Sequence, residues 1–234
     1  MTLPLSRLNT RGRRRAGAAF TPASLTALKA WYRADLGVTD AGAGAVSQWD
    51  DQSGNAHHLT EATNRPTYSA TSGANGLAGI TFDGTNDKLS CTFTALSQPF
   101  HCFIVAKLNA IENQAALVAG STSSQRFLYT TTTDILFYFG AGTNTGAYSD
   151  TTNFNFFEFL ADTTNSNYSF GSTVRATSTI GTGTLGGFIL GQLTGFQFAN
   201  GVISELILTS ALVTGAELTN LRSYIASRYG LTTR

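Results

Sequence analysis

Charge is what this sequence has least of. Asp, Glu, Lys and Arg make up 12% of its 234 residues, about half the usual share of roughly 25%, and the formal net charge is +1. So weak a field neither gathers nucleic acid nor funnels an acidic substrate over the chain as a whole. Two cysteines are too few for the disulfide framework that staples small secreted domains. Of the three histidines, His57 and His58 are adjacent and would point to opposite faces of a strand, which leaves no metal-ligand spacing with the thiols. No G-x-S-x-G turn accompanies them, so a Ser-His-Asp nucleophile has no support. The glycine-rich stretch 181–187 opens no helix and therefore no phosphate cradle. No run approaches the roughly 20 apolar residues needed to cross a bilayer, and the start, broken by Pro4 and Arg7, lacks a signal-peptide core. The expectation is a chain made in the cytoplasm, with no membrane contact.

Aromatic and small polar residues fill the space that charge leaves. Apolar residues reach 42%, with sixteen Phe and eight Tyr, enough to pack sheets around a large core in one domain. Apolar runs recur roughly every ten residues between Gly, Asn, Asp and Ser, which is the pattern of a β-sandwich. Strands are expected over 30–34, 77–82, 88–93, 100–108, 115–120, 126–131, 135–139, 154–161, 167–170, 187–190 and 202–208. A short helical turn is expected over 24–29, and 37–44 reads as a turn-rich connection. Near the end, Thr214 and Glu217 form a T-x-x-E capping box. Leu218, Leu221 and Ile225 then follow at helical spacing, Gly230 supplies a left-handed stop, and Arg222 and Arg228 are expected to face solvent.

The ends of the chain differ in charge. Arg7, Arg11, Arg13, Arg14 and Arg15 stand in the first fifteen residues, and no acid precedes Asp35. Residues 1–20 therefore read as a flexible basic attachment arm, and 21–234 as the folded body. Its partner is expected to be an acidic protein groove rather than nucleic acid. Cys91 and Cys102 lie symmetrically about a turn near Leu96 and Ser97, where a hairpin would set them opposite each other; two buried thiols in neighbouring strands are the favoured alternative to a bond.

Three segments together resemble the concanavalin A-like lectin/glucanase (laminin-G-like) jelly-roll domains found in tailed-phage virion proteins and bacterial surface proteins. They are LKAWYRADLGVTDAGAGAVSQWDDQSGN (28–55), GITFDGTNDKL (79–89) and GVISELILTSALVTGAELTNLRSYIASRYGL (201–231). The resemblance implies an all-β jelly-roll sandwich and a phage virion structural protein, a head-decoration, fibre or tail-tip module. Such a protein would be anchored to other virion proteins by its arm, be homo-oligomeric within the assembly and display a surface for host glycans. The alternative is a free-standing carbohydrate-binding module of a bacterial surface or secreted protein. Trp31 and Trp49 are expected to close the core.

Enzymatic activity is not expected. A glucanase on this fold needs two carboxylates on one strand face, acid and nucleophile, and the stretch 203–209 offers Glu205 alone, more simply an acceptor for a neighbouring loop. Related lectin-like domains hold calcium at the rim, and Asp50, Asp51, Asn55, Asp83, Asn86 and Asp87 are hard oxygen donors in turns. Capping of the turns by the same side chains accounts for them without an ion. No other cofactor is expected. For a glycan, Asn144, Tyr148, Asp150, Phe196 and Asn200 lie in turn-rich stretches able to supply stacking and hydrogen bonds.

Overall fold

Apolar runs cut by turn residues become strands wherever a neighbour can take up their backbone N–H and C=O groups. The computed structural model describes residues 19–141, 144–174, 178–193 and 197–234, Asn144 by its backbone alone. Arg7, Arg11, Arg13, Arg14 and Arg15 of the arm, and Phe196, lie outside the described residues. After a 3-10 turn at Pro22–Ser24 come β1 (Leu28–Arg33), β2 (Val38–Asp40), β3 (Val46–Trp49), β4 (Leu59–Thr60), β5 (Thr67–Ser69), β6 (Gly79–Asp83), β7 (Leu89–Leu96), β8 (Phe100–Leu108) and β9 (Ala115–Gly120). The chain continues with β10 (Gln125–Thr130), β11 (Asp134–Phe139), β12 (Asn144–Ala147), β13 (Asn155–Ala161), β14 (Asn167–Phe170), β15 (Thr173–Val174), β16 (Leu185–Leu190) and β17 (Asn200–Thr209), then α1 (Gly215–Tyr229).

These strands form two antiparallel sheets packed as a jelly-roll sandwich, the all-β class expected. Sheet A has eight strands in the order β15-β14-β13-β8-β17-β6-β5, with β1 also paired to β17. The long β17 shares one edge between β6, at Asn200–Ile203, and β1, at Glu205–Thr209, while β8 runs along the other. Sheet B has nine strands in the order β12-β11-β10-β9-β16-β7-β4-β3-β2. Between the sheets lies the main core, in which the Phe127 ring meets Phe100, Phe139, Phe159 and Phe188 at centroid distances of 5.1 to 6.2 Å. Gly187 is needed for this fit: it sits at the β16–β7 irregularity, where a Cβ would come 2.1 Å from the Cys91 carbonyl oxygen.

A second apolar cluster covers the outer side of sheet A. Trp31, Phe103, Val105, Phe156 and Ile207 from the sheet pack against Leu221, Ile225 and Tyr229 of α1. Strand β8 is buried at eight of its nine positions because core lies on one side and helix on the other.

Several local expectations are corrected. Residues 24–29 are not a helical turn, because Leu28 and Lys29 already belong to β1 and Leu28 pairs with Thr209. Cys91 and Cys102 do not face each other across a hairpin. β7 belongs to sheet B and β8 to sheet A, the 97–99 link crosses the sandwich, and both thiols are free and buried. Trp49 is fully buried in the main core, but Trp31 points outward beneath α1, since strand alternation assigns its neighbours Ala30 and Tyr32 to the interior. Short polar strands such as β2, β4, β12 and β15 carried no apolar run to announce them.

The helix also differs in how it is held. Thr214 occupies the N-cap without a side-chain cap bond. Glu217 reaches instead to Thr26, accepting from its N–H at 3.0 Å and its hydroxyl at 2.5 Å. Arg222 and Arg228 are turned inward, their side chains 17% and 23% exposed, because each has a carboxylate on the sheet side, Glu158 and Asp35. Gly230 is the left-handed C-cap, at φ 66°.

Leu221→Ala should accordingly cost about 2 to 5 kcal/mol by opening a cavity. Arg222→Ala should cost about 3 kcal/mol by stripping a buried carboxylate of its bidentate partner. Thr214→Ala should stay within about 0.5 kcal/mol of the parent. Urea unfolding of the three variants measures this order, and a Thr214→Ala loss equal to that of Leu221→Ala would contradict it.

Candidate functional site

Acids are the first place to look for chemistry on this fold. Glu205 on β17 pairs with Val105 and Glu158 on β13 pairs with Phe103, so both acids face outward from sheet A with β8 between them. The second acid was missed in the sequence because its partner position lies some 47 residues away along the chain. Both carboxylates are closed to solvent. Glu205, 1% exposed, accepts from Trp31 Nε1 at 2.6 Å, Tyr229 Oη at 2.7 Å and Tyr224 Oη at 3.0 Å. Glu158, 2% exposed, accepts from Arg222 at 2.8 and 2.7 Å and lies 3.3 Å from Arg234. Burial pushes the Glu205 carboxyl upward against its three donors. Glu205 thus serves β1 and the helix, not a neighbouring loop, and the two acids are anchors for α1.

His101 lies on the same covered face, its ring 4.1 Å from that of Phe103 and both ring nitrogens without a hydrogen-bond partner. Burial, reinforced by Arg234 and Arg222, pushes its pKa down to about 3.

The proposed calcium donors occupy two separate turns. Asp51 Oδ1 accepts from the N–H groups of Trp31 and Ser53, both at 2.9 Å, and Oδ2 from Ser53 Oγ at 2.8 Å and the His57 N–H at 3.1 Å. Asn55 Nδ2 donates to the Leu28 and Lys29 carbonyls, and Asp50 accepts from Gln48. In the other turn Asp83 Oδ1 accepts from the N–H groups of Thr85, Asn86 and Asp87. Asp87 Oδ2 accepts from the Asp83 N–H at 3.0 Å, and burial followed by the Asp83 charge pushes Asp87 up to about 6. The pairing of Trp49 with Leu59 and of Thr60 with Ser90 sets Asp50 two strands across from β7, level with Thr92, whereas Asp87 lies just before β7 begins. Among the described residues, no group of three or more His, Cys, Asp or Glu is placed to hold a metal ion.

The expected glycan residues are likewise divided. Tyr148 is buried, with its ring against Phe157 and Phe170 and its hydroxyl accepting from Asn155. Asp150, held at about 2, pays for its burial through bonds from the Asn153 and Thr152 N–H groups and the Asn155 and Thr152 side chains. Asn200 Oδ1 accepts from Asn109 Nδ2 at 2.8 Å at the start of β17. The backbone of Asn144 lies in β12, opposite Phe137, and Phe196 is outside the described residues.

The outer face of sheet B is open only in part: over β9 and β10, Ala116, Ala119 and Tyr129 pack with Leu193 in a third buried apolar cluster, whereas β7 keeps Thr92, Thr94 and Ala95 exposed. At one end Arg126 lies between the rings of Tyr129 and Tyr138, 4.6 and 5.1 Å from their centroids. At the other end is a polar pocket of about 360 Å³ lined by Ala56, His57, His58, Thr60, Ser90, Cys91 and Thr92. Alternation along β7 sends Leu89 and Cys91 toward the core and Ser90 and Thr92 outward. His57 Nε2 is shielded and without a hydrogen-bond partner, and its ring lies 5.0 Å from that of Phe93. Burial and then Lys29 hold its pKa below the usual imidazole value, and its shielded Nε2 is turned away from the pocket opening. The pocket presents the hydroxyls of Thr60, Ser90 and Thr92 together with His58, whose Nδ1 lies 3.2 Å from Asp50 Oδ1 just outside the lining.

No family model matches the chain, and no curated protein sequence does. Solved structures do share its fold. The Trypanosoma rangeli sialidase in complex with sialic acid aligns with a TM-score of 0.57 at 10% identity, over 85% of this chain and 33% of the sialidase. Domain 4 of AbnA, a GH43 extracellular arabinanase from Geobacillus stearothermophilus, in complex with arabinotriose, aligns at 0.56 and 12% identity, over 82% of this chain and 97% of that domain. An arabinofuranosidase complexed with arabinofuranosyl-alpha-1,2-xylobiose aligns at 0.55 and 14% identity, over 81% and 52%. The chain thus spans about a third of the sialidase and nearly all of the arabinanase domain. At these identities the likeness is one of fold, that of β-sandwich domains in carbohydrate-active proteins.

His101 sets a testable acid response. Its folded pKa lies below the ordinary 6.5, so folding favours the neutral ring. Stability from this group is full above pH 6.5 and falls as pH drops toward 3, because the unfolded chain takes the proton first. Asp87, raised to about 6, works in the opposite direction, so the comparison must be with a variant. The stability advantage of His101→Leu over the parent should widen by about 1.4 kcal/mol per pH unit from pH 6 to 4. A constant gap in urea unfolding across that window would show that the ring protonates in place.

Proposed function

We propose that this chain is a non-catalytic glycan-recognition domain that takes a neutral oligosaccharide on the outer face of sheet B, in the pocket formed by residues 56–58, β4 and β7. The observation that carries the reading is the pocket itself. Its volume of about 360 Å³ lies within the usual range of roughly 300 to 1,000 Å³ for small-ligand sites. Its lining of Thr60, Ser90, Thr92 and His58 matches the alternating donors and acceptors of sugar hydroxyls. The fold-level likeness to the arabinanase domain solved with arabinotriose supports the same class of ligand. Catalysis has no comparable support, since Glu205 and Glu158 are both held beneath the helix.

In its finer form the proposal makes the domain a phage virion component, attached through Arg7, Arg11, Arg13, Arg14 and Arg15 and displaying this face toward host glycans. That form rests on the motif resemblance and on the contrast between the arm and a nearly uncharged body. Phe20 belongs to the body, since its ring packs edge-on against Tyr224 at 6.4 Å. Deleting residues 2–18 should therefore leave the melting temperature unchanged while removing the protein from particles. Wild-type copy number after the deletion would assign attachment to the sandwich instead.

Arabinotriose and a panel of neutral oligosaccharides, titrated calorimetrically, test the main reading. Saturable binding is expected for at least one, weakened tenfold or more by Thr92→Trp, whose indole fills the pocket from an exposed position. No reducing sugar should be released by the parent or by Glu205→Gln. Binding indifferent to Thr92→Trp, or absent across the panel, would overturn the assignment.

A further inference from the structure

A larger hollow lies on the other side of the molecule, away from sheet B. It is a groove of about 640 Å³ between residues 19–21, Leu77 and one flank of α1. Its helical wall presents Asn220, Ser223, Tyr224, Ser227 and Arg228, and Arg33 closes it from the sheet side. From Asn220 to Arg228 the wall extends about 12 Å at 1.5 Å per residue, room for three to four residues of extended peptide at roughly 3.3 Å each.

The chemistry of the groove is divided. Phe20, Leu77 and Tyr224 form an apolar wall, with Phe20 and Tyr224 in edge contact. Asn220, Ser223 and Ser227 are exposed along the rim and are of the kind that bonds peptide N–H and C=O groups. Two guanidinium groups share a single acid: Arg33 Nε donates to Asp35 Oδ1 and Arg228 Nη2 to Asp35 Oδ2, each at 2.6 Å. Arg33 Nη1 also donates to Tyr224 Oη at 3.4 Å. Arg33 Nη2 has no partner among the described contacts, Arg228 also bonds the Tyr229 side chain while its Nε is buried without a partner, and the trio of Arg33, Arg228 and Asp35 keeps one net positive charge. Glu205, the next acid inward, is occupied by Trp31 and the two helix tyrosines.

We infer that this groove is a protein-docking site for an acidic peptide segment of a partner. A carboxylate of that segment bonds the free Nη2 of Arg33 beside the charge of Arg228, and an adjacent aliphatic or aromatic side chain lies against Phe20, Leu77 and Tyr224. Charge-assisted bonds of this kind are among the stronger hydrogen bonds, and the fork of a guanidinium suits a carboxylate. Three features favour a peptide over nucleic acid: the apolar wall, a surplus of only one charge, and no ladder of bases or lysines along which a phosphate backbone could run. The occupant must come from outside this chain's basic start, since no Asp or Glu precedes Asp35 and the arginines there would repel Arg33 and Arg228. The site is independent of the glycan pocket, which lies on sheet B.

The test uses the full chain and a fluorescein-labelled dodecapeptide of alternating glutamate and leucine, followed by anisotropy at 0.05 and 0.15 M salt. Saturable binding is expected, weaker at the higher salt. Ser223→Trp and Ser227→Trp, which fill the groove from exposed positions and leave the arm intact, should each weaken it tenfold or more, as should Arg228→Gln. Thr92→Trp, which blocks the sheet B pocket, should leave it unchanged, so that failure of one site is not mistaken for failure of the other. The inference is overturned by any of four results: no saturable binding; equal affinity for the peptide with lysine in place of glutamate; binding that survives groove filling, which would belong to the arm; or displacement of the peptide by a twelve-nucleotide oligothymidine at equal or lower concentration.

Discussion

The structure turns on two carboxylates buried beneath one helix. An ionised acid removed from water is tolerated only when donors replace the water. Here Trp31, Tyr224 and Tyr229 do this for Glu205, and Arg222 and Arg234 for Glu158. Four of those five donors come from α1 or the segment after it. Lifting the helix would expose the apolar cluster around Phe103, Val105, Phe156 and Ile207 and also strip both acids of most of their partners. The helix therefore covers the outer side of sheet A over these strands.

Scarcity of charge shapes the rest. Asp51, Asp83 and Asp150 each gather neighbouring backbone N–H groups and so fix the turns at the ends of strands. Acids used in this way keep loops in register but do not converge on a site. The outer side of sheet B consequently carries hydroxyls around Ser90 and Thr92 and, over β9 and β10, the buried Tyr129 with Arg126 against its ring. The surplus of guanidinium groups appears instead beside the helix, where Arg33 and Arg228 divide one Asp35.

Long strands could be read from the chain because their signal is local. The apolar run from Cys102 to Ala106 within β8 marks a strand covered on both faces, and its place at the centre of sheet A agrees. The short pairings of β4, β12 and β15 have two to four residues each and depend on neighbours distant in sequence. Trp31 reads as core no less than Trp49, since periodicity does not tell which side faces the other sheet and which faces a helix. The same limit hid the site. Ser90 and Thr92 alternate visibly with Leu89 and Cys91, but their meeting with Thr60 and His57 rests on the pairing of Thr60 with Ser90. Tyr148 misled in the other direction, for a turn-rich neighbourhood does not reveal that Phe157 and Phe170 enclose its ring.

Amide hydrogen exchange tests most directly whether the helix and sheet A are one unit. Amides of α1 between Leu218 and Tyr229 should exchange as slowly as those of β8 and β17, through global unfolding alone, because their release requires uncovering two buried acids. Fast exchange throughout the helix while β8 and β17 stay protected would show that α1 opens by itself, and would contradict the account in which it seals sheet A.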